Sequence, residues 1–276
     1  MKIGIIGLGL IGGSLAMSIR KHTEHTVLGY DIDRETVLRA RATEAIHDVL
    51  DADELPRCDI VLVALYPDQC VQVIREHADD FGPQALVIDC AGVKRYVCER
   101  VEPVAAQHEW TFIGGHPMAG REFSGFISAR PDLFENASMI LCPAADVGIE
   151  ARETAKRFFL ESGFKLVRFT TPEAHDQMIA YTSQLAHIVS GAYVKNPLAA
   201  RHKGFSAGSF LDMTRVARLN ENMWTELFLE NGDLLLPAVD DLIARLNEYR
   251  DALAGGDPEA LKPVLREGRI AKEALD

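Results

Sequence analysis

The chain of 276 residues carries 41 acidic against 29 basic side chains, a net charge of -12, with 47% hydrophobic and 25% charged residues. That length allows one large domain or two smaller ones with separate cores, and the composition is ordinary for a soluble globular protein. The acidic balance excludes nucleic acid as a partner, because phosphate binding needs a basic face; it also makes any arginine or lysine near a candidate site informative for a small anionic ligand.

The opening run "MKIGIIGLGLIGGSLAMSI" has the lysine and apolar stretch of a signal peptide or membrane span. Five glycines (Gly4, Gly7, Gly9, Gly12 and Gly13) interrupt it, so it is read as structure, with no membrane partner. "KIGIIG" is a β-branched apolar run ended by glycine and predicts a buried strand, followed by a helix over about Ile11 to Arg20. "HTVLGYD" predicts a second strand ending at Asp31, and "DIDRETVLRARAT" a helix that Asp31 or Asp33 can cap. "CDIVLVAL" is a third strand, "DQCVQVIREHADDF" a helix and "ALVIDCAG" a further strand. "EWTFIGGHP" and "ASMILCP" add two more, and helix "GIEARETAKRFFLESG" with strand "KLVRFT" closes the series.

Strands alternating with helices predict an α/β doubly wound parallel sheet over residues 1–170. From Thr171, a helix-capping residue followed by Pro172 at the first helical position, the character changes. Residues 171–276 hold only long amphipathic helical patterns, predicting an all-α second domain. Its apolar stretch from Met223 to Leu253 exceeds what one small domain buries, which predicts a homodimer sealed through it. The five cysteines (Cys58, Cys70, Cys90, Cys98 and Cys142) form no CxxC pair and no zinc spacing; free thiols, no metal and a cytoplasmic location are expected.

Four constellations carry chemistry. "GLGLIG" matches G-x-G-x-x-G at Gly7, Gly9 and Gly12, between a predicted first strand and first helix. Such a loop turns tightly, lets backbone approach a diphosphate, and sets that group over a helix N-terminus, here Leu10 and Ile11, where free N–H groups and the helix dipole favour negative charge. Asp31 follows Gly12 by 19 residues at the end of the second strand, where a carboxylate accepts from ribose hydroxyls and repels a 2′-phosphate. NAD is therefore expected over NADP. "GGHPMAGRE" places His116 just past a strand, between glycines and a proline. An imidazole there can take a hydroxyl proton as hydride leaves, although turns use the same residues routinely. Asp176, Ala180, Ser183 and His187 recur at helical spacing and predict one polar face. In "GSFLDMTRVAR", Arg215 is either a carboxylate clamp or half of an ion pair with Asp212.

"GLGLIGGSLA", "DCAGVK", "GGHPMAGRE-SG", "HD-----TSQLAH" and "DMTRVA-----MW" occur in the order and at the spacings of the prephenate dehydrogenase family, which the chain resembles over nearly its whole length. The resemblance implies a Rossmann domain, a helical domain that dimerises, and oxidative decarboxylation of prephenate to 4-hydroxyphenylpyruvate in tyrosine biosynthesis, or action on arogenate. It implies His116 as the catalytic base at the ring hydroxyl, Ser183 and His187 as the helix face turned to substrate and nicotinamide, and Arg215 with Lys94 as substrate-binding cations. Two positions depart from the family pattern. Gly92 stands where a serine often helps the histidine, so that a water or another hydroxyl, with Ser124 the candidate, would take its place; Ala186 replaces a proline and would remove a helix kink. Two other readings compete: a β-hydroxyacid dehydrogenase using Lys195 on an aliphatic acid, and a dinucleotide-binding sensor without turnover.

Overall fold

The computed structural model describes residues 1–121 and 123–275; Glu122, within the His116 motif, lies outside the described residues. The apolar N-terminal run is strand β1 (Lys2–Ile6) and helix α1 (Leu10–His22), not an address segment. Strands β2 (Thr26–Tyr30), β3 (Asp48–Val49), β4 (Ile60–Val63), β5 (Leu86–Asp89) and β6 (Thr111–Pro117) follow, with helices α2 (Arg34–Ala42), α3 (Pro67–Glu76) and α4 (Arg95–Ala105) between them. Strand β7 (Ser138–Pro143), helix α5 (Ile149–Glu161) and strand β8 (Leu166–Phe169) complete this half. Among the described residues the strands form one eight-stranded sheet ordered β3-β2-β1-β4-β5-β6-β7-β8. The first six strands have the order of a dinucleotide-binding fold. The expected parallel sheet ends at β6: β7 runs antiparallel to it, and β8, parallel to β7, shares that reversed direction.

The central strands are buried on both faces and rich in Val, Ile and Leu, as parallel strands covered by helices must be. The sheet therefore has two apolar layers. One contains Ile5, Leu15, Ile60, Ile88 and Phe159, the other Val61, Val63, Ile74, Val87 and Phe112. Asp33, rather than Asp31, caps α2 by accepting from the Glu35 amide. All five cysteines are free and buried. Helix α4 is absent from the sequence-based prediction: Pro103 reads as a breaker, yet Val97, Cys98 and Val101 give the stretch a buried face.

After β8 the chain is helical: α6 (Pro172–Ile179), α7 (Ala186–Val194), α8 (Gly208–Thr214), α9 (Glu221–Glu230), α10 (Gly232–Gly255) and α11 (Pro258–Glu273). Thr171 caps α6 as the sequence predicts, accepting from the Ala174 amide. Ala180–Leu185 form a π-helical turn joining α6 to α7. The axis is thus irregular without the proline that Ala186 replaces. Such a turn adds the equivalent of one residue, so the expected single polar face is split. Asp176 and Ala180 are buried, whereas Ser183 and His187 are only partly so. The long apolar stretch also breaks at Asn231, which separates α9 from α10 and is fully buried.

Candidate active site

Strands β1, β4, β5 and β6 run parallel, so their C-terminal ends meet at one edge of the sheet. Gly7, Gly92 and His116 all follow or end these strands there, the edge at which open α/β sheets bind ligands.

The glycine loop is built for a diphosphate. Gly7 has φ +90, and a Cβ on Gly12 would lie 1.8 Å from the Gly7 carbonyl oxygen, so neither tolerates a side chain. A Cβ on Gly9 would meet nothing within 4 Å. Helix α1 starts at Gly9 with no side-chain cap, and its first intrahelical bond runs from the Gly13 amide to the Gly9 carbonyl. The amides at Leu10 and Ile11 are left for a ligand. Asp31 is held by two backbone amides: Leu8 donates to one carboxylate oxygen at 2.8 Å and Asp33 to the other at 2.9 Å. That fixes an acceptor where a ribose hydroxyl pair belongs. These residues fit NAD.

The histidine pocket is built from buried charge. His116 Nδ1 lies 2.9 Å from His175 Nε2, and His175 Nδ1 lies 2.7 Å from Asp176 Oδ1. Asp176 also accepts from the Lys94 amide at 2.8 Å and from the Arg95 amide at 2.9 Å. Burial opposes its charge, but the His175 bond and these two amides more than offset that and hold its carboxyl below the usual range. His175 is lowered by burial, against the pull of Asp176. The pKa of His116 is driven well below the ordinary imidazole range by burial, then by His175 and Lys94, which favours the neutral ring.

Lys94 is not placed as a substrate-binding cation. It is fully buried, ion-paired with Asp89, and donates to the Gly115 carbonyl. Asp89 in turn accepts from the amides of Ala91 and Gly115. The pair therefore ties β5 to β6 directly beneath His116.

Helix α9 connects this pocket to the remaining predicted residues. Leu227 lies 3.1 Å from the place a Cβ on Gly92 would occupy, and His116 Nε2 lies 3.9 Å from it. One turn earlier, Trp224 stacks on His187 with ring centroids 4.0 Å apart. His187 Nδ1 donates to the Ser183 carbonyl at 2.8 Å, leaving Nε2 as an acceptor. Burial lowers its pKa, and the positive charge of Arg215 adds to that effect. Thus Ser183, His187, Arg215 and Trp224 form one cluster. Ser124 lies on the exposed loop before the turn at Phe126–Ser128, and among the described residues no hydrogen bond joins it to His116. Arg218, on the same segment as Arg215, lies 5.5 Å over the ring of Phe123.

His175 and Trp224 carry no role in the sequence analysis. Both lie inside the quoted motif blocks, but only the folded chain brings α6 against β6 and α9 against α7. Asn231 locks that arrangement: its amide donates to the Asp176 carbonyl and to Gln184, and its oxygen accepts from Arg95.

A two-domain nicotinamide-dependent dehydrogenase is the class this fold and site define. Two family profiles match the chain: "Prephenate dehydrogenase, nucleotide-binding domain" over residues 15–168 and "Prephenate dehydrogenase, dimerization domain" over residues 171–267. The prephenate dehydrogenase of Bacillus subtilis (strain 168) is 31% identical over 280 residues, covering 98% of this chain and 75% of that protein. The crystal structure of prephenate dehydrogenase from A. aeolicus with hydroxyphenyl propionate and NAD+ has a TM-score of 0.87 at 26% identity, covering 100% of this chain and 98% of that one. Synechocystis arogenate dehydrogenase has a TM-score of 0.82 at 25% identity, with complete coverage of both chains. The chain belongs to the prephenate dehydrogenase family and is an NAD-dependent dehydrogenase.

Proposed function

We propose that the chain catalyses the NAD-dependent oxidative decarboxylation of prephenate to 4-hydroxyphenylpyruvate, the tyrosine-forming step, with His116 as the base at the ring hydroxyl. The observation that carries this reading is an imidazole whose Nε2 opens beside Gly92, at the sheet edge shared with the glycine loop. NAD held by Gly7, Gly9, Leu10, Ile11, Gly12 and Asp31 would accept a hydride from the hydroxyl-bearing ring carbon. Nε2 takes the hydroxyl proton as the C–H bond breaks. The bond to the ring carboxylate then breaks, its electron pair enters the ring, carbon dioxide leaves, and the proton at Nε2 returns to the phenolate oxygen. The chain's remaining task is to orient a dianion. Arg215 supplies a guanidinium for a carboxylate, and Ser183 and His187 line the same wall.

The helical half supports a homodimer. Its own apolar cluster has only Ala180, Leu185 and Leu235 as buried members among the described residues, while Leu229, Leu236, Ile243, Leu246 and Leu253 are exposed along α9 and α10. Within α10, Leu236 and Ile243, and Leu246 and Leu253, are each seven residues apart, the spacing of a helix seam. The division into domains 1–170 and 171–276 follows the change from sheet to helices between Phe169 and Pro172. No described helix is long and apolar enough to cross a membrane. A cytoplasmic location accords with the free, buried thiols.

The test is NADH formation with prephenate, run beside arogenate, for the native chain and His116→Asn. Prephenate is expected to be turned over, and His116→Asn to lower kcat by roughly 10²- to 10⁴-fold, the range for loss of a general base. Faster turnover of arogenate would move the assignment to the amine-bearing substrate. An unchanged rate in His116→Asn would remove the histidine from the reaction.

A further inference from the structure

The hydrogen bonds behind His116 run in one direction. Asp176 receives three amide or side-chain donors besides His175: the amides of Lys94 and Arg95 and, at 3.3 Å, the Arg95 guanidinium. An ionised carboxylate can only accept. His175 Nδ1, 2.7 Å away, must therefore carry the proton, and a neutral His175 then offers only a lone pair at Nε2. That lone pair faces His116 Nδ1 at 2.9 Å, so the proton of His116 sits on Nδ1 and Nε2 is left as the acceptor. Among the described residues the His116 side chain has no other hydrogen bond, and its Nε2 side is bounded by Gly92, which has no side chain to offer one. Asp176 and His175 are themselves fixed in the first turns of α6, whose start is set by the Thr171 cap, and Asn231 holds the Asp176 carbonyl.

We propose that His175, anchored by Asp176, is a positioning residue that selects the Nδ1–H tautomer of His116 and so keeps Nε2 free to receive the substrate's hydroxyl proton. This rests on His116 being the base. When Nε2 takes the proton, the His116 imidazolium still donates through Nδ1 to His175, and no group in the chain has to turn. Protonation of His175 would reverse the effect: with donors on both nitrogens it would require a lone pair at His116 Nδ1 and place the His116 proton on Nε2. Full burial of His175 and the nearby Lys94 ammonium oppose that state, whereas Asp176 and the more distant Asp89 favour it. Lys94 also faces His116 itself.

The experiment reads the tautomer without turnover. In protein labelled with 15N-histidine, the signals missing from His116→Asn identify His116. A protonated Nδ1 and unprotonated Nε2 are expected at pH 7.5, and Asp176→Asn, whose amide can donate to His175 Nδ1, is expected to invert them. In kinetics, His175→Leu should lower kcat by about 10²-fold, the order of loss for a wrongly oriented base, with KM for prephenate changed less than about twofold. Loss of the acceptor for Nδ1–H destabilises the imidazolium, so the acid limb of the pH profile should also move to lower pH. His175→Gln, whose side-chain oxygen can accept from Nδ1–H, should recover at least a tenth of the rate. An Nε2–H tautomer in the native protein would overturn the proposal, as would a His175→Leu variant with native kcat and acid limb. Either result would leave the His116→Asn assay standing as a separate test of the base, and the tautomer signals and His175→Gln suffice if His175→Leu does not fold.

Discussion

The glycine loop and the histidine pocket sit at the same edge of one sheet and are built by opposite means. The loop works by what its residues lack: backbone amides, a positive φ at Gly7 and bare Cα positions at Gly9 and Gly12. The pocket works by what it buries: Asp89, Lys94, His175 and Asp176, each with almost no exposure. A loop of the first kind depends on local geometry and can be written in six consecutive letters. A pocket of the second kind depends on segments far apart in sequence, because buried charges persist only when paired and hydrogen-bonded.

The largest effects should come from breaking the loop, where two glycines separate packing from binding. Gly12→Val drives a side chain into the Gly7 carbonyl and is expected to abolish NAD binding and to lower Tm together. Gly9→Ala meets nothing within the protein at φ -70, so its stability should stay within about 0.5 kcal/mol of native. Its NAD affinity should nevertheless fall about tenfold, since the space a methyl would take belongs to the ligand. Isothermal titration with NAD beside thermal melts checks both. Equal NAD affinity in Gly9→Ala and the native chain would show that the diphosphate does not lie over this loop.

The pocket should fail differently, through stability. Lys94→Met leaves Asp89 buried with its charge uncompensated, which typically costs about 3–5 kcal/mol. Restoring neutrality with Asp89→Asn in the same chain should recover part of that loss, although the carboxylate's contacts to the Ala91 and Gly115 amides limit the recovery. Denaturant melts of the single and double variants give the coupling. A Lys94→Met protein of native stability with a raised KM would return Lys94 to the substrate-binding role that its sequence position suggests.

This contrast also explains what could be read from the chain before folding. The strand–glycine–helix start, Asp31 and the change of character at Thr171 rest on local signals, and each falls where the sequence places it. His116 was legible because proline and glycines isolate it. Lys94 was legible as a residue but not as a role, since nothing local reveals that Asp89 and Gly115 enclose it. His175 could have been suspected from its place beside Asp176, yet only the docking of α6 on α4 and β6 shows that one ring touches another. The π turn had no local mark either. With Ala186 in place of proline the segment reads as a regular helix, and the irregularity becomes visible only in the turn at Ala180–Leu185.

Between the two regions lies a junction where the comparison can be sharpened with a smaller effect. Glu226 on α9 accepts from the Asp68 amide at the start of α3, and Tyr96 on α4 donates to the Asp68 carboxylate. Glu230, one turn further along α9, adds a third carboxylate, and the three lie within 4.8 Å of one another. Burial, then the charges of Glu226 and Asp68, push the Glu230 carboxyl up to about 8, against the pull of Arg100. A carboxyl raised in the folded state binds its proton more tightly there than in the unfolded chain, where its ordinary value is 4.5. Stability should therefore fall as pH rises from about 4.5 to about 8 and change little from this group outside that window. Glu230→Gln keeps the shape and removes the titration. Its Tm should match the native chain near pH 4.5 and exceed it by about 2–4 °C at pH 8.5, a shift of about 1 kcal/mol because the partial exposure of Glu230 weakens the charge effects. A gain equal at both pH values would reflect packing alone. A gain confined to high pH would mean that this junction, like the histidine pocket, is governed by charge removed from water.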